Sequence, residues 1–137
     1  MNWEPARNVT YFLFRVVTGL LFFQAGSLKL LGWFGGMPNG GGTAPPMSQA
    51  WLAGVLEVAG GALIVLGLLT RPVAFLLSGE MAVAYWQFHA PHGTWPIQNH
   101  GESAVLFCFI FLYMAAKGGG AWSLDALIGS RRRFVNK

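Results

Sequence analysis

A small set of ionisable side chains lies inside long apolar segments of this sequence. Arg15 and Lys29 fall in the first such segment, Glu57 in the second and Glu80 in the third, while Glu102 opens the fourth. An ionised group in membrane hydrocarbon costs several kcal/mol unless it is paired or hydrated. These residues are therefore the first candidates for function, because facing carboxylates and cations can hold a polar ligand or move protons.

Helical spacing arranges these groups on shared faces. Arg15 and Lys29 fall on one stripe of the first segment, with Gly19 and Gly26 between them at intervals of three or four residues. Small residues also surround Glu57 in the second segment. Because small residues let transmembrane helices approach closely, we expect Arg15 and Lys29 to offset the glutamates inside a helical bundle.

The predicted polar network also includes uncharged members at middle depth and at the outer end of the bundle. Two interpretations compete for it. Either the ion pairs fix the register of the helices and do no chemistry, or the interior holds a small polar or redox-active ligand such as a quinone, or passes protons. The full set is Arg15, Gln24, Lys29, Glu57, Glu80, His89 and Glu102.

The histidines of the chain are His89, His92 and His100, and all lie between the third and fourth segments. Imidazoles together with a carboxylate can ligate zinc or copper, and two imidazoles can hold a haem. Their spacing matches no fixed metal motif, so we favour histidines that hydrogen-bond loop carbonyls. A metal or haem site here is the weaker hypothesis.

The elements that must position these residues are membrane helices. The chain has 137 residues, of which 54% are hydrophobic and 10% charged, against about 25% charged in a soluble domain. Apolar segments near the length that a bilayer crossing needs (about 20 residues) run over about 9–31, 49–69, 72–89 and 101–116. The fourth is apolar on every side, unlike a helix of a soluble bundle. We predict one all-α domain, a transmembrane four-helix bundle with a basic tail over residues 117–137.

Basic residues set the predicted orientation. No Lys or Arg lies between Lys29 and Arg71, nor between Arg71 and Lys117. The first and third loops are therefore free of basic residues, and the positive-inside rule places both termini in the cytoplasm. The net charge of +4 forms no patch suited to nucleic acid. The lone Cys108 excludes a disulfide within the chain.

The order and spacing of several motifs resemble the DoxX family of small four-helix membrane proteins over nearly the whole chain. The first helix is similar to the family in Arg15, Gly19 and residues 24–30, although Ala25 stands where relatives often have histidine. Residues 89–91 and 99–102 are similar to one large bacterial branch. Further matching segments are 54–61, 69–72, 79–85 and 118–125.

The resemblance implies a multi-pass protein of the bacterial inner membrane, in a family often associated with quinone-linked redox systems. The leading hypothesis is an accessory subunit of such a system that interacts with quinone, in its polar interior, or with a partner that does, with no claim to independent catalysis. A non-catalytic structural subunit of a larger membrane complex is the alternative, and a small transporter or ion pathway is a third. The expected partners are the lipid bilayer and other membrane subunits or further copies of the chain, not nucleic acid.

Overall fold

The computed structural model describes residues 2–38 and 40–135, with side chains described as far as Ser130. Residues 136 and 137 of the predicted basic tail lie outside this part. The described chain folds into six α-helices and contains no strand, so the all-α prediction is confirmed. The helices are α1 (Glu4–Leu31), α2 (Gln49–Leu66), α3 (Thr70–Ala84), α4 (Pro96–Asn99), α5 (Glu102–Lys117) and α6 (Leu124–Val135).

Two of these helices, α1 and α2, are long and apolar enough to cross a membrane. Helix α3 has 15 residues and continues into a five-residue π-helix over Tyr85–His89, and α5 has 16 residues. Helix α5 is shorter than the roughly 20 residues of a standard crossing, whereas α3 and the π-helix together, residues 70–89, reach that length. Four membrane crossings therefore remain a prediction. Helices α1 and α2 are the two that have both the length and the hydropathy of a crossing.

Glycines define where the long helices end. Gly32 ends α1 and Gly67 ends α2, and both adopt the left-handed conformation with φ of 67°. The Gly67 N–H donates to the Ile64 carbonyl, closing the last turn. Helix α2 consequently ends at Leu66, three residues before the predicted limit of residue 69.

The chain divides into two compact units. The first comprises residues up to Thr70 together with those from Gly119 onward, and the second comprises Arg71–Gly118. In the first unit α1 packs against α2 in antiparallel fashion through glycines. A Cβ added to Gly61 would lie 2.7 Å from the Gly19 carbonyl oxygen and 2.6 Å from the Phe23 nitrogen. The close approach expected from small residues in these helices is therefore confirmed.

In the second unit, side chains tie α3 to α5. The Ser78 hydroxyl donates to the Cys108 carbonyl at 2.8 Å. At the carboxyl-terminal end of α5, Arg71 donates to the carbonyls of Ala115, Ala116 and Lys117. A cation on these last carbonyls offsets the negative end of the helix dipole.

Candidate functional site

The candidate site is a buried ion pair between α1 and α2, the Lys29–Glu57 pair. Lys29 Nζ lies 2.6 Å from Glu57 Oε1 and donates a hydrogen bond to it. The Glu57 side chain is 3% exposed and the Lys29 side chain 26%. The Glu57 carboxylate is thus enclosed by protein, while the Lys29 side chain is partly exposed at the surface of the first unit.

The pair forms because glycines bring the two helices into contact beside it. A Cβ added to Gly26 would lie 2.6 Å from the Val58 nitrogen and 2.7 Å from the Gly54 carbonyl oxygen. The loop after α1 also folds back, since the Ala44 N–H donates to the Lys29 carbonyl at 2.7 Å. Both contacts fix the backbone from which Lys29 reaches Glu57.

One oxygen of the buried Glu57 carboxylate has no hydrogen-bond donor among the described residues. Glu57 Oε2 is buried and accepts no hydrogen bond from any residue in 2–38 or 40–135. Buried carboxylate oxygens are normally satisfied by protein or ordered water. An enclosed acceptor beside a protonated amine can receive a ligand hydroxyl or a proton, which is the chemistry that the sequence indicated for this network.

Arg15 has a different role from the expected one. It is 1% exposed, and it donates to the carbonyls of Ile64 (2.5 Å), Val65 (2.6 Å) and Trp122 (2.7 Å). Ile64 and Val65 lie in the last turn of α2, where carbonyls lack the N–H partner that a continuing helix would supply, and the Ile64 carbonyl accepts from the Gly67 N–H as well as from Arg15. The expectation that Arg15 pairs with a glutamate is therefore wrong for the described residues, because the antiparallel register places it at the end of α2.

Gln24 does not join the buried network. Its side chain is exposed on α1, whereas Arg15 and Phe22 on the opposite side of the helix are buried. Nine residues separate Gln24 from Arg15, which is two and a half helical turns. Helical phase therefore directs the amide away from α2, and the expectation that it lies in a polar interior is wrong.

The remaining predicted residues lie in the second unit. Glu80 is half-buried on α3, and Glu102 is exposed at the start of α5. His89 Nδ1 lies 3.0 Å from the Asn99 carbonyl oxygen. Because a carbonyl only accepts, neutral His89 carries its hydrogen on Nδ1 and presents Nε2 as an acceptor. The loop-carbonyl interpretation of this histidine is thus the one observed.

No metal site is assembled from the predicted histidines. His92 Nδ1 lies 2.8 Å from the Phe88 carbonyl oxygen, and both His92 and His100 are exposed. Within residues 2–38 and 40–135, no three His, Cys, Asp or Glu side chains are grouped so that they could hold a metal ion.

Two polar residues outside the predicted set organise the structure. Asn99 is buried; its Oδ1 accepts from the Gly101 N–H at 2.9 Å and its Nδ2 donates to the Gly93 carbonyl at 2.9 Å. Asp125 accepts from the N–H groups of Leu69 (2.8 Å) and Thr70 (2.9 Å). The positions of Asn99 and Asp125 beside Gly-rich turns are the sequence signal that could have found them.

The charge state of Asp125 follows from these contacts. Partial burial by itself would raise the pKa of Asp125, but the N–H groups of Thr70 and Leu69 and the nearby charge of Arg15 lower the pKa below its usual value. Asp125 is therefore an ionised acceptor at the point where α3 begins.

A family model described as DoxX matches residues 10–90, which include most of α1, all of α2 and the Lys29–Glu57 pair. An uncharacterised protein of Haemophilus influenzae is 43% identical, with 90% of this chain and 94% of the relative covered. The inner membrane protein YphA of Escherichia coli is 33% identical at the same coverage.

The name of a third relative refers to a class of enzyme. The Bacillus subtilis protein named "Putative oxidoreductase CatD" is 28% identical, with 90% of both chains covered. No solved structure matches this chain.

Proposed function

The chain belongs to the DoxX family and lies in the bacterial inner membrane, and from this premise we propose that it is an accessory subunit of a membrane redox system that binds a quinone at the Lys29–Glu57 pair. One observation carries the proposal. It is the buried carboxylate of Glu57, joined to Lys29 through one oxygen and without a protein partner on the other among the described residues.

The pair has the groups that a quinone headgroup needs. Quinone oxygens accept hydrogen bonds, and the Lys29 ammonium has donors beyond the one directed at Glu57. About a quarter of the Lys29 side chain is exposed and almost none of Glu57. The headgroup therefore approaches from the Lys29 side, and the apolar surfaces of α1 and α2 suit the isoprenoid tail.

The carboxylate supplies a proton acceptor. Oxidation of a quinol to a quinone releases two electrons and two protons. Glu57 Oε2 takes one proton, which leaves a neutral carboxyl beside the Lys29 ammonium until that proton is passed on, and the second proton leaves to water. The two electrons pass to a redox centre of a partner protein, so this chain acts as an accessory subunit.

The name of one relative supports the redox assignment. The Bacillus subtilis relative is named "Putative oxidoreductase CatD", and the Escherichia coli relative is named as an inner membrane protein. Both cover the Lys29–Glu57 region because each alignment takes in 90% of this chain.

A non-catalytic structural subunit is the second candidate, and the contacts of Arg15 favour it. All three hydrogen bonds of Arg15 go to backbone carbonyls, so one buried charge of the network acts in packing alone. On this interpretation the Lys29–Glu57 pair fixes the register of α1 on α2 and binds nothing.

Titration of the purified protein in lipid nanodiscs with a short-chain ubiquinol and a short-chain menaquinol, kept reduced, separates the two candidates. Binding is measured by quenching of tryptophan fluorescence. We expect Glu57→Gln to weaken quinol binding about tenfold or more, the loss of one charge-assisted hydrogen bond from a quinol hydroxyl to the carboxylate, and the double variant Lys29→Met with Glu57→Leu to abolish it. Glu4→Gln, an exposed carboxylate at the start of α1, is the matched control.

The double variant keeps this test independent of folding, since an apolar pair of similar volume often preserves stability. Absence of quenching in the wild type contradicts the proposal. So does equal affinity of the wild type and the folded double variant, which would leave the pair with its structural role.

A further inference from the structure

Gln24 is a polar side chain with nothing in the described chain to satisfy it. It lies in α1, seven residues before the end of the helix, and its side chain is exposed. It makes no hydrogen bond to any residue in 2–38 or 40–135. Where α1 crosses the membrane, as its length and hydropathy allow, an exposed amide at this position is surrounded by lipid tails unless a partner covers it.

The residues around Gln24 form one apolar stripe, here called the Gln24 face. Leu13, Val17 and Leu20 are 54%, 53% and 54% exposed, and Leu31 is 52% exposed. Leu28 is half-buried. Intervals of three and four residues place all of these on one side of the helix, with Gln24 near its centre. The stripe consists of Leu13, Val17, Leu20, Gln24, Leu28 and Leu31.

This face points away from the rest of the first unit. The opposite side of α1 carries Arg15, Phe22 and Gly26, which are buried. Gly26 and Lys29 contact α2 on that side. Occupation of the Gln24 face is therefore independent of the Lys29–Glu57 pair and of the proposed function.

The donor and acceptor groups of the Gln24 amide indicate what kind of partner can satisfy it. A glutamine side chain in hydrocarbon needs one donor and one acceptor, because lipid tails offer neither. A second glutamine amide supplies both in return. Copies of one chain inserted in the same orientation are related by a two-fold axis along the membrane normal, so equal residues meet at the axis.

We propose that a second copy of this chain covers the Gln24 face, with two α1 helices packed in parallel and the Gln24 amides hydrogen-bonded to each other. The aliphatic residues at three- and four-residue spacing supply the packing on both sides of the amide pair. No charged residue interrupts the stripe from Leu13 to Leu31, so two equal faces meet without repulsion.

Cysteine cross-linking tests the geometry, and the sequence makes the experiment simple because Cys108 is the single cysteine of the chain. In a Cys108→Ser background, Leu20→Cys and Leu31→Cys keep Gln24 intact and lie on the proposed axis. Oxidation in native membranes should give a disulfide-linked dimer with either. Leu52→Cys, exposed on α2, is the control and should remain monomeric.

The amide itself is tested by Gln24→Leu and Gln24→Asn. An interhelical hydrogen bond in a membrane contributes about 1–2 kcal/mol in model peptides, so Gln24→Leu should weaken dimerisation about five- to thirtyfold. Gln24→Asn retains the amide and should keep most of the dimer. Subunit counting by single-molecule photobleaching in lipid bilayers measures both, with a monodisperse elution profile confirming folding.

Four results would overturn the proposal. One is a monomer at all protein densities, the second is cross-linking that is no stronger at Leu20→Cys than at Leu52→Cys, and the third is a dimer unaffected by Gln24→Leu. Cross-linking of these positions to a different protein would also refute a second copy as the occupant.

Discussion

At the scale of single residues, burial decides the consequence of removing either partner of the Lys29–Glu57 pair. Lys29→Met leaves the Glu57 carboxylate enclosed without a cation, and breaking a buried pair in this way costs about 3–5 kcal/mol. We expect a large loss of thermal stability in detergent, measured by the fraction of monodisperse protein after heating. Lys29→Met with Glu57→Leu should recover most of that loss, and a single variant as stable as the wild type would contradict this reasoning.

The hydrogen bonds of Asp125 predict that the folded protein loses stability in acid. Its pKa is lowered in the folded protein, so its contribution is fully present above the unfolded value of about 3.9. The contribution is lost as the pH falls through the lower, folded pKa. Asp125→Asn should cost about 1 kcal/mol at neutral pH, and the difference from the wild type should disappear towards the acid end of a melting series.

The matched control for Asp125 is Glu4→Gln. Glu4 is exposed and its ion pair with Arg7 lies on the surface, where such pairs contribute little. A melting temperature that responds equally to both substitutions would show that the two N–H contacts at Leu69 and Thr70 are not the source of the effect.

At the scale of elements, the packing of α1 on α2 depends on the absence of side chains at specific glycines. Gly61→Ala places a Cβ 2.6 Å from the Phe23 nitrogen, and backbone atoms can move only if the helices separate. We expect a loss of about 1–3 kcal/mol, as for an overpacked core, measured by thermal unfolding.

Gly79 provides the control for this substitution. It is also helical, on α3, but a Cβ there would meet nothing within 4 Å. Gly79→Ala should therefore be neutral or stabilise by up to about 1 kcal/mol through helix propensity. Equal losses at Gly61 and Gly79 would show that side-chain clash is not what limits the contact.

The sequence predicted the helices better than the contacts between their side chains. Apolar length indicated α1 and α2, and glycine spacing indicated their close approach. Whether Lys29 or Arg15 pairs with Glu57 depends on the register of two antiparallel helices, which one sequence does not specify. Gln24 is a different case, because its distance of two and a half turns from Arg15 already places it on the opposite face.

At the scale of the whole molecule, the prediction concerns how the chain crosses the membrane. Four crossings with both termini in the cytoplasm follow from the basic residues and from spans of which α1 and α2 are full length. A fluorescent protein fused after residue 137 should fluoresce, and alkaline phosphatase fused within the loop after α1 should be active. An active phosphatase at the carboxyl terminus would contradict this topology, because it requires an odd number of crossings or the inverted orientation.

The contacts of Arg15 also bear on how the protein is made. Two of its acceptors, Ile64 and Val65, leave the ribosome with the second helix, whereas the Trp122 carbonyl emerges only after α3 and α5. The guanidinium therefore completes its set of partners only once those later helices have been synthesised. A chain halted after α2 would therefore hold a helical hairpin in which the arm of Arg15 that reaches Trp122 is still unmatched.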